Sequence, residues 1–202
     1  MTSLTAVVLS VNVGEPRTVE WRGRSVTSAI WKHPVDGPVT IAGVNLDGDD
    51  QADRRVHGGA DKAVYSYSTE HYAWWSTQVG ALAPGTFGEN LTTEGLPVST
   101  AVVGELWHVG DAGLVLSPTL SRIPCATFQA RMGERQWTKR FSQANRTGAY
   151  LRVVSPGDVR SGDAIVVTDV PAHGVTIADS FHAYMHDHIE VEELIARRMT
   201  SA

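Results

Sequence analysis

Leu106-Trp107-His108-Val109-Gly110-Asp111-Ala112-Gly113-Leu114-Val115-Leu116 holds two apolar runs around a four-residue turn of Gly, Asp and Ala. Glycine supplies positive φ at no steric cost, and Asp bonds its own backbone, so the stretch predicts an antiparallel hairpin. The same grammar recurs on both sides. Ala6–Val11, Val39–Val44, Ala149–Val154 and Ala164–Val170 read as strands, and Ala101–Val103 as a weaker one. The last two strong runs are separated by Ser155-Pro156-Gly157-Asp158 and Ser161-Gly162-Asp163. Short strands between Gly/Pro/Asp turns make a barrel or a sandwich.

Helices interrupt this β pattern. Thr69–Val79 carries Tyr72, Trp75 and Val79 at i, i+3 and i+7 behind a possible capping residue, Ser68. A second helix is expected over Phe128–Phe141, with Gly133 in its middle. After Pro171-Ala172-His173-Gly174 the character changes. Thr176-Ile177-Ala178-Asp179 opens like a capping box, and Ile177, Phe181, Tyr184 and Met185 recur at helical spacing. Ile189, Val191, Leu194 and Ile195 suggest another short helix. The expected division is a mainly β body over residues 1–170 and a helical extension over 171–202, too small to fold alone.

The chain has 202 residues, 42% of them hydrophobic, enough for one domain with a sizeable core. A net charge of −5 argues against coating duplex nucleic acid, which needs a basic surplus. A local positive pocket for a small anion stays allowed. No apolar run approaches the ~18 residues of a membrane span. Met1-Thr2-Ser3-Leu4 lacks a basic n-region, and there is one cysteine, so a cytoplasmic location is expected.

That cysteine, Cys125, makes neither an internal disulfide nor a multi-cysteine zinc site. It is a packed core residue, a nucleophile, or a single ligand to a soft metal. Arg122 and Pro124 lie just before it. Pro124 fixes φ, and the charge of Arg122 favours the thiolate that nucleophiles and metal ligands share.

The densest polar stretch runs from Leu46 to Tyr65. Asp47, Asp49 and Gln51 start like a calcium loop, but Ala52 and Gly58 stand where that loop needs Gly and Glu. His57-Gly58-Gly59 lacks the partner spacing of a zinc helix. Gly58-Gly59 can present backbone N–H groups as a nest, with His57 and Lys62 beside it and Arg24 and Lys32 upstream. The stretch is therefore an oxyanion site or an ordinary glycine-capped loop. In Gly85-Thr86-Phe87-Gly88-Glu89-Asn90-Leu91, Glu89 and Asn90 orient a ligand or cap a tight turn. His182 and His186 are four apart, but without a third ligand they read as a solvated face. No Gly-x-Gly-x-x-Gly follows a predicted strand, so no flavin or NAD site is expected.

Several of these segments, in order, resemble the MOSC domain family (molybdenum cofactor sulfurase C-terminal type), and within it the YiiM-like branch. They are Ala29–Val39, Gly48–Asp53, His57-Gly58-Gly59, Asp61–Tyr65, Gly85–Leu91, Arg122–Cys125 and Gly148–Val153. The resemblance implies a β-barrel body with interspersed helices that binds a molybdenum cofactor, a pterin bearing a phosphate. It implies that Cys125 is the catalytic thiolate and metal ligand. It places Lys32, His57, Gly58, Gly59, Asp61, Lys62, Asn90 and Arg122 among the cofactor-binding residues. It further implies reduction of N-hydroxylated small molecules of the hydroxylaminopurine kind; with no flavin or NAD fingerprint in the sequence, such an enzyme is expected to draw electrons from an external flavodoxin-like or ferredoxin-like protein. A homodimer is compatible with it. A non-catalytic cofactor carrier, or a sulfur carrier using a Cys125 persulfide, are the alternatives. The second is weakened by the lack of another cysteine to resolve the persulfide.

Overall fold

Seven strands close on themselves. The computed structural model describes residues 6–50 and 59–200; His57, Gly58 and the side chain of Arg24 lie outside them. In chain order, β1 (Ala6–Val13) precedes the hairpin β2 (Arg17–Trp21) and β3 (Arg24–Ser28). The short β4 (His33–Val35), β5 (Val39–Ala42) and β6 (Asn45–Leu46) follow. β7 (Val64–Ser68) feeds α1 (Thr69–Val79), which leads to β8 (Leu91–Glu94). β9 (Leu106–Val109) and β10 (Leu114–Ser121) precede α2 (Ala126–Met132) and α3 (Trp137–Ala144). β11 (Ala149–Ser155), β12 (Gly157–Val159) and β13 (Ala164–Thr168) end the β portion, and α4 (Ile177–His182) and α5 (Val191–Thr200) form the tail.

The barrel order is β13-β9-β10-β11-β7-β8-β1, and β1 pairs back with β13 to close it. Closure leaves no open barrel edge; β4 adds to β1 from outside. Every barrel pairing is antiparallel except β7 with β8. That parallel pair needs a crossover, and α1 is it. The predicted hairpin is β9–β10, with Leu114 opposite Val109 and Leu116 opposite Trp107. Its inward side chains, Trp107, Val109, Leu114 and Leu116, are buried together with Val8, Leu91 and Leu151 in the barrel interior.

A second, aromatic core lies outside the barrel, where α1, α2 and α3 cover β7. Tyr67 stacks on Phe87 at 4.2 Å, and Trp75 donates from Nε1 to the Tyr67 hydroxyl at 2.8 Å. This explains why β7 was not legible as a strand. Val64 joins the barrel interior while Tyr65 and Tyr67 join the aromatic core, so all five residues are buried and no polar face marks it.

Two expectations change, and one hairpin was not foreseen. The helix expected over Phe128–Phe141 is two helices, because Gly133 ends α2 at φ 67° and Gln136 opens α3 at φ 53°, both left-handed. Ala101–Val103 is not a strand; Val102 makes a single bridge to Thr176 after the 3₁₀ turn Val98–Thr100. The β2–β3 hairpin, with its largely exposed, charged sequence, gave no periodic signal.

In the tail, the Thr176 hydroxyl accepts from Asp179 N at 3.0 Å while Asp179 Oδ2 accepts from Thr176 N at 3.1 Å, the reciprocal capping box. Ile177 and Phe181 are buried, and α4 lies against β10. A π turn, Ala183–Asp187, joins it toward α5. No helix among the described residues is long and apolar enough to cross a membrane.

Candidate functional site

β10 stops at Ser121, and the chain leaves the barrel through Arg122-Ile123-Pro124-Cys125 into α2. Cys125 is extended, at φ −126° and ψ 176°, and its carbonyl accepts the first helical bond, from Gln129 N at 3.0 Å. Its side chain is half-buried and lines a cleft of about 160 Å³. Lys32, Lys62, Asn90 and Arg122 line the same cleft, with Asp49, Tyr65, Gly88 and Tyr150. Five of the nine residues singled out in the sequence thus converge from four distant segments.

Arg122 is buried and anchors this cleft. Its guanidinium lies over the Phe128 ring at 4.3 Å and the Tyr65 ring at 4.9 Å, and Nη1 donates to Phe87 O at 3.0 Å. Two aromatic faces and one carbonyl fix the planar fork as an ammonium would not be fixed. Its Nε–H is buried and has no hydrogen-bond partner among the described residues. Burial opposes its charge, yet the guanidinium pKa is raised and the group stays charged, as arginine does throughout the working pH range.

Lys32 is a second buried cation, paired with Asp49; both side chains are almost wholly covered. Burial pushes the Lys32 ammonium below its ordinary value, with Asp49 pulling the other way. Asp49 accepts also from Gly14 N at 2.8 Å and Asn90 Nδ2 at 2.9 Å. Asn90 is itself fixed, since its Oδ1 accepts from Tyr65 N at 3.1 Å. It therefore orients the Asp49–Lys32 pair. Lys62 closes the 3₁₀ turn Ala60–Lys62, with Nζ 6.0 Å from the Tyr150 ring centroid.

The turn before Asn90 is held by Glu89. This fully buried carboxylate accepts from Tyr72 OH at 2.5 Å, Gly85 N at 2.7 Å, Thr92 Oγ1 at 2.7 Å and Phe87 N at 3.1 Å. Burial raises its pKa, while these donors oppose the rise. It builds the turn and does not line the cleft. Gly88 does line it, at φ 73°, and a Cβ there would meet Ile30 Cγ1 at 2.6 Å.

Gly59 and Asp61 adjoin the cleft without lining it. Asp61 pairs with Arg152, and Gly59 is exposed at φ 106°. His57 and Gly58 fall outside the described residues. Asp49 and Tyr150 are cleft residues that sequence reasoning did not select. Asp49 entered the sequence reading as a failed calcium-loop position and within the Gly48–Asp53 segment of the resemblance, without a role of its own, and its partners at 14, 32 and 90 are too distant in sequence to signal the pairing. His182 and His186 have ring centroids 4.5 Å apart, yet no group of three metal-ligating side chains occurs among the described residues.

A soft thiol, two buried cations, Lys62 and an orphaned guanidinium N–H form a donor set for a group that is anionic and carries a soft metal. The cleft residues fit a phosphate-bearing molybdenum pterin on this chemistry.

Residues 53–166 match the model of the MOSC domain. The chain is 33% identical over 181 residues to the uncharacterized protein YflK of Bacillus subtilis, covering 89% of this chain and 81% of that one. It is 34% identical over 141 residues to the protein YiiM of Escherichia coli, covering 68% and 62%. A protein named reductase from Gibberella moniliformis is 31% identical over 153 residues, covering 74% of this chain. The chain spans 62% of the length of the Escherichia coli YiiM and 27% of the fungal reductase. The crystal structure of YiiM from Geobacillus stearothermophilus superposes with a TM-score of 0.75 at 27% identity, covering 97% of this chain and 89% of that one. With the barrel, the ordered motifs and a family match over more than half its length, this chain belongs to the MOSC domain family.

Proposed function

We propose that the cleft holds a molybdenum cofactor and that the protein reduces N-hydroxylated compounds of the hydroxylaminopurine kind, using an external electron-transfer protein. The observation that carries this reading is the convergence of Cys125 with Lys32, Lys62 and Arg122 on one cleft. The cofactor, when bound, supplies the two-electron chemistry that none of these side chains has. Cys125 supplies a soft anionic donor at the cleft wall. Arg122 offers an N–H that its own fold does not use, and its charge attracts the thiolate. Lys32 is oriented by Asp49, and Asp49 by Asn90, so this cation meets an anionic ligand already in place. The fungal relative named reductase supports an oxidoreductase, and membership of the MOSC domain family supports the cofactor.

The test uses protein purified from a host competent for the cofactor. It should retain molybdenum and consume hydroxylaminopurine when given a chemical reductant. Cys125→Ser, a small change in volume, should fold, retain less molybdenum and lose turnover. Retained molybdenum without turnover, and with transfer of the cofactor to an acceptor apoenzyme, would favour a carrier instead.

A further inference from the structure

The cations of this chain are unevenly spread. Residues 126–146 hold five Lys and Arg against one carboxylate, a net +4 in a chain of −5, which leaves −9 on the remainder. They form α2, α3 and the bend between them, and Cys125 is the N-cap of α2. At about 1.5 Å per residue, Arg131 stands roughly 9 Å along the helix axis from Cys125. The basic face thus begins one short helix away from the cleft. Behind it, the buried rings of Trp137 and Phe128 pack with centroids 5.6 Å apart, and Arg122 lies over Phe128 at 4.3 Å. Packed rings therefore fill the space between face and cleft.

Most of these charges have no counterion within the chain. Arg140 pairs with Glu134 at 3.1 Å. Arg135 and Lys139 are exposed and make no ion pair among the described residues. Arg131 is half-buried, and its Nε–H has no hydrogen-bond partner among the described residues. Burial first, then the like charge of Arg17, lower its pKa, yet arginine stays charged. Arg17 is exposed and lies over the Trp31 ring at 4.4 Å. Lys139 and Arg140 also stand in the first turn of α3, which holds no acidic residue. Cations there oppose the helix dipole, so they do not serve the stability of the helix. Like charges gathered on an otherwise acidic protein make a local field that selects an anionic partner. Duplex DNA, with about one charge per 1.7 Å, would run off this patch onto the acidic remainder. A compact acidic protein meets the patch alone.

We propose that the α2–α3 face, with Arg17 beside it, is the docking surface for an acidic electron-carrier protein of the flavodoxin kind, which delivers its electrons to the Cys125 cleft. Two carriers each give up one electron. With two protons these convert one N–OH of the substrate to N–H and release water. The inference rests on the reading of that cleft as the redox centre.

The experiment is calorimetric titration of the full chain, from the same cofactor-competent host, with flavodoxin as the probe. Hydroxylaminopurine turnover is followed in parallel, with flavodoxin or a chemical reductant as donor. Wild type should bind saturably, and more weakly as salt is raised. The double variant Arg135→Glu/Lys139→Glu should bind at least tenfold more weakly and lose flavodoxin-driven turnover in proportion. Its turnover with the chemical reductant and its melting temperature should be unchanged, since both side chains are exposed. Arg160→Glu should bind like wild type. That residue lies at the β9–β10 hairpin end of the barrel, where Asp163 abuts Gly110, whereas Cys125 follows the other end of β10. No saturable binding by wild type, or equal affinity in wild type and the double variant, overturns the proposal. So does tighter retention of a short DNA duplex than of flavodoxin on the same two residues. Flavodoxin binding that needs Arg135 and Lys139, in protein that turns over nothing with the chemical reductant, upholds the docking face and refutes the redox reading.

Discussion

Arg122 is held by two ring faces and one carbonyl. Lysine carries the same charge but cannot reproduce that fork. Arg122→Lys should therefore cost about 1–3 kcal/mol of stability, read by chemical denaturation, and should also lower molybdenum retention. A variant of wild-type stability would show that the sandwich contributes nothing. Gly88 makes a steric claim beside it. With φ at 73° and Ile30 at 2.6 Å from an added Cβ, Gly88→Ala should lose about 1–3 kcal/mol and pinch the cleft. At this scale the sequence was informative where chemistry is local. Cys125, Arg122 and Lys62 stood out by residue type and neighbourhood. Asp49 did not, because its function is to accept from Gly14, Lys32 and Asn90, three partners joined only by the fold.

Helix α1 carries a pH dependence. His71 is buried against Tyr67, with ring centroids 5.2 Å apart, and burial together with the Arg146 charge lowers its pKa from 6.5 to about 4. The folded state thus prefers neutral His71, while the unfolded chain takes up a proton below about 6.5. Stability from this group is complete above that pH and is lost as pH falls toward 4. Between pH 7.5 and 4.5 the loss is about 2–3 kcal/mol. Glu89, whose pKa is raised, acts with the opposite sign, so the comparison must be with His71→Phe. The variant should be less sensitive to acid than wild type by that amount; parallel stability–pH curves would refute the assignment. α1 was legible to its last residue because Tyr72, Trp75 and Val79 mark one face. The break between α2 and α3 was visible only as Gly133; the left-handed Gln136 that opens α3 has no sequence signature. In the tail, α4 buries Ile177 and Phe181, whereas α5 buries only Val191. Amide exchange should therefore be slow in 177–182 and fast in 192–200, and uniform exchange through both would contradict the docking described.

The molecule as a whole is a barrel closed by a short seam. β1 and β13 pair through Ala6–Ile165 and Val7–Ala164, extended by Val8 N to Asp163 O and Gly162 N to Val8 O, each 2.8 Å. Strand composition indicated a barrel or a sandwich; the family resemblance selected the barrel. The closing seam joins residues more than 150 positions apart, a pairing that local periodicity does not encode. The same long-range closure assembles the cleft, whose walls come from the segments after β3, before and within β7, before β8, after β10 and within β11. The most direct test of the account is X-ray absorption at the molybdenum edge, comparing wild type with Cys125→Ser loaded in the same host. The account predicts one protein-derived sulfur contact to molybdenum in wild type that the variant lacks, together with reduced metal content. Identical spectra and equal metal content in the two proteins would contradict it.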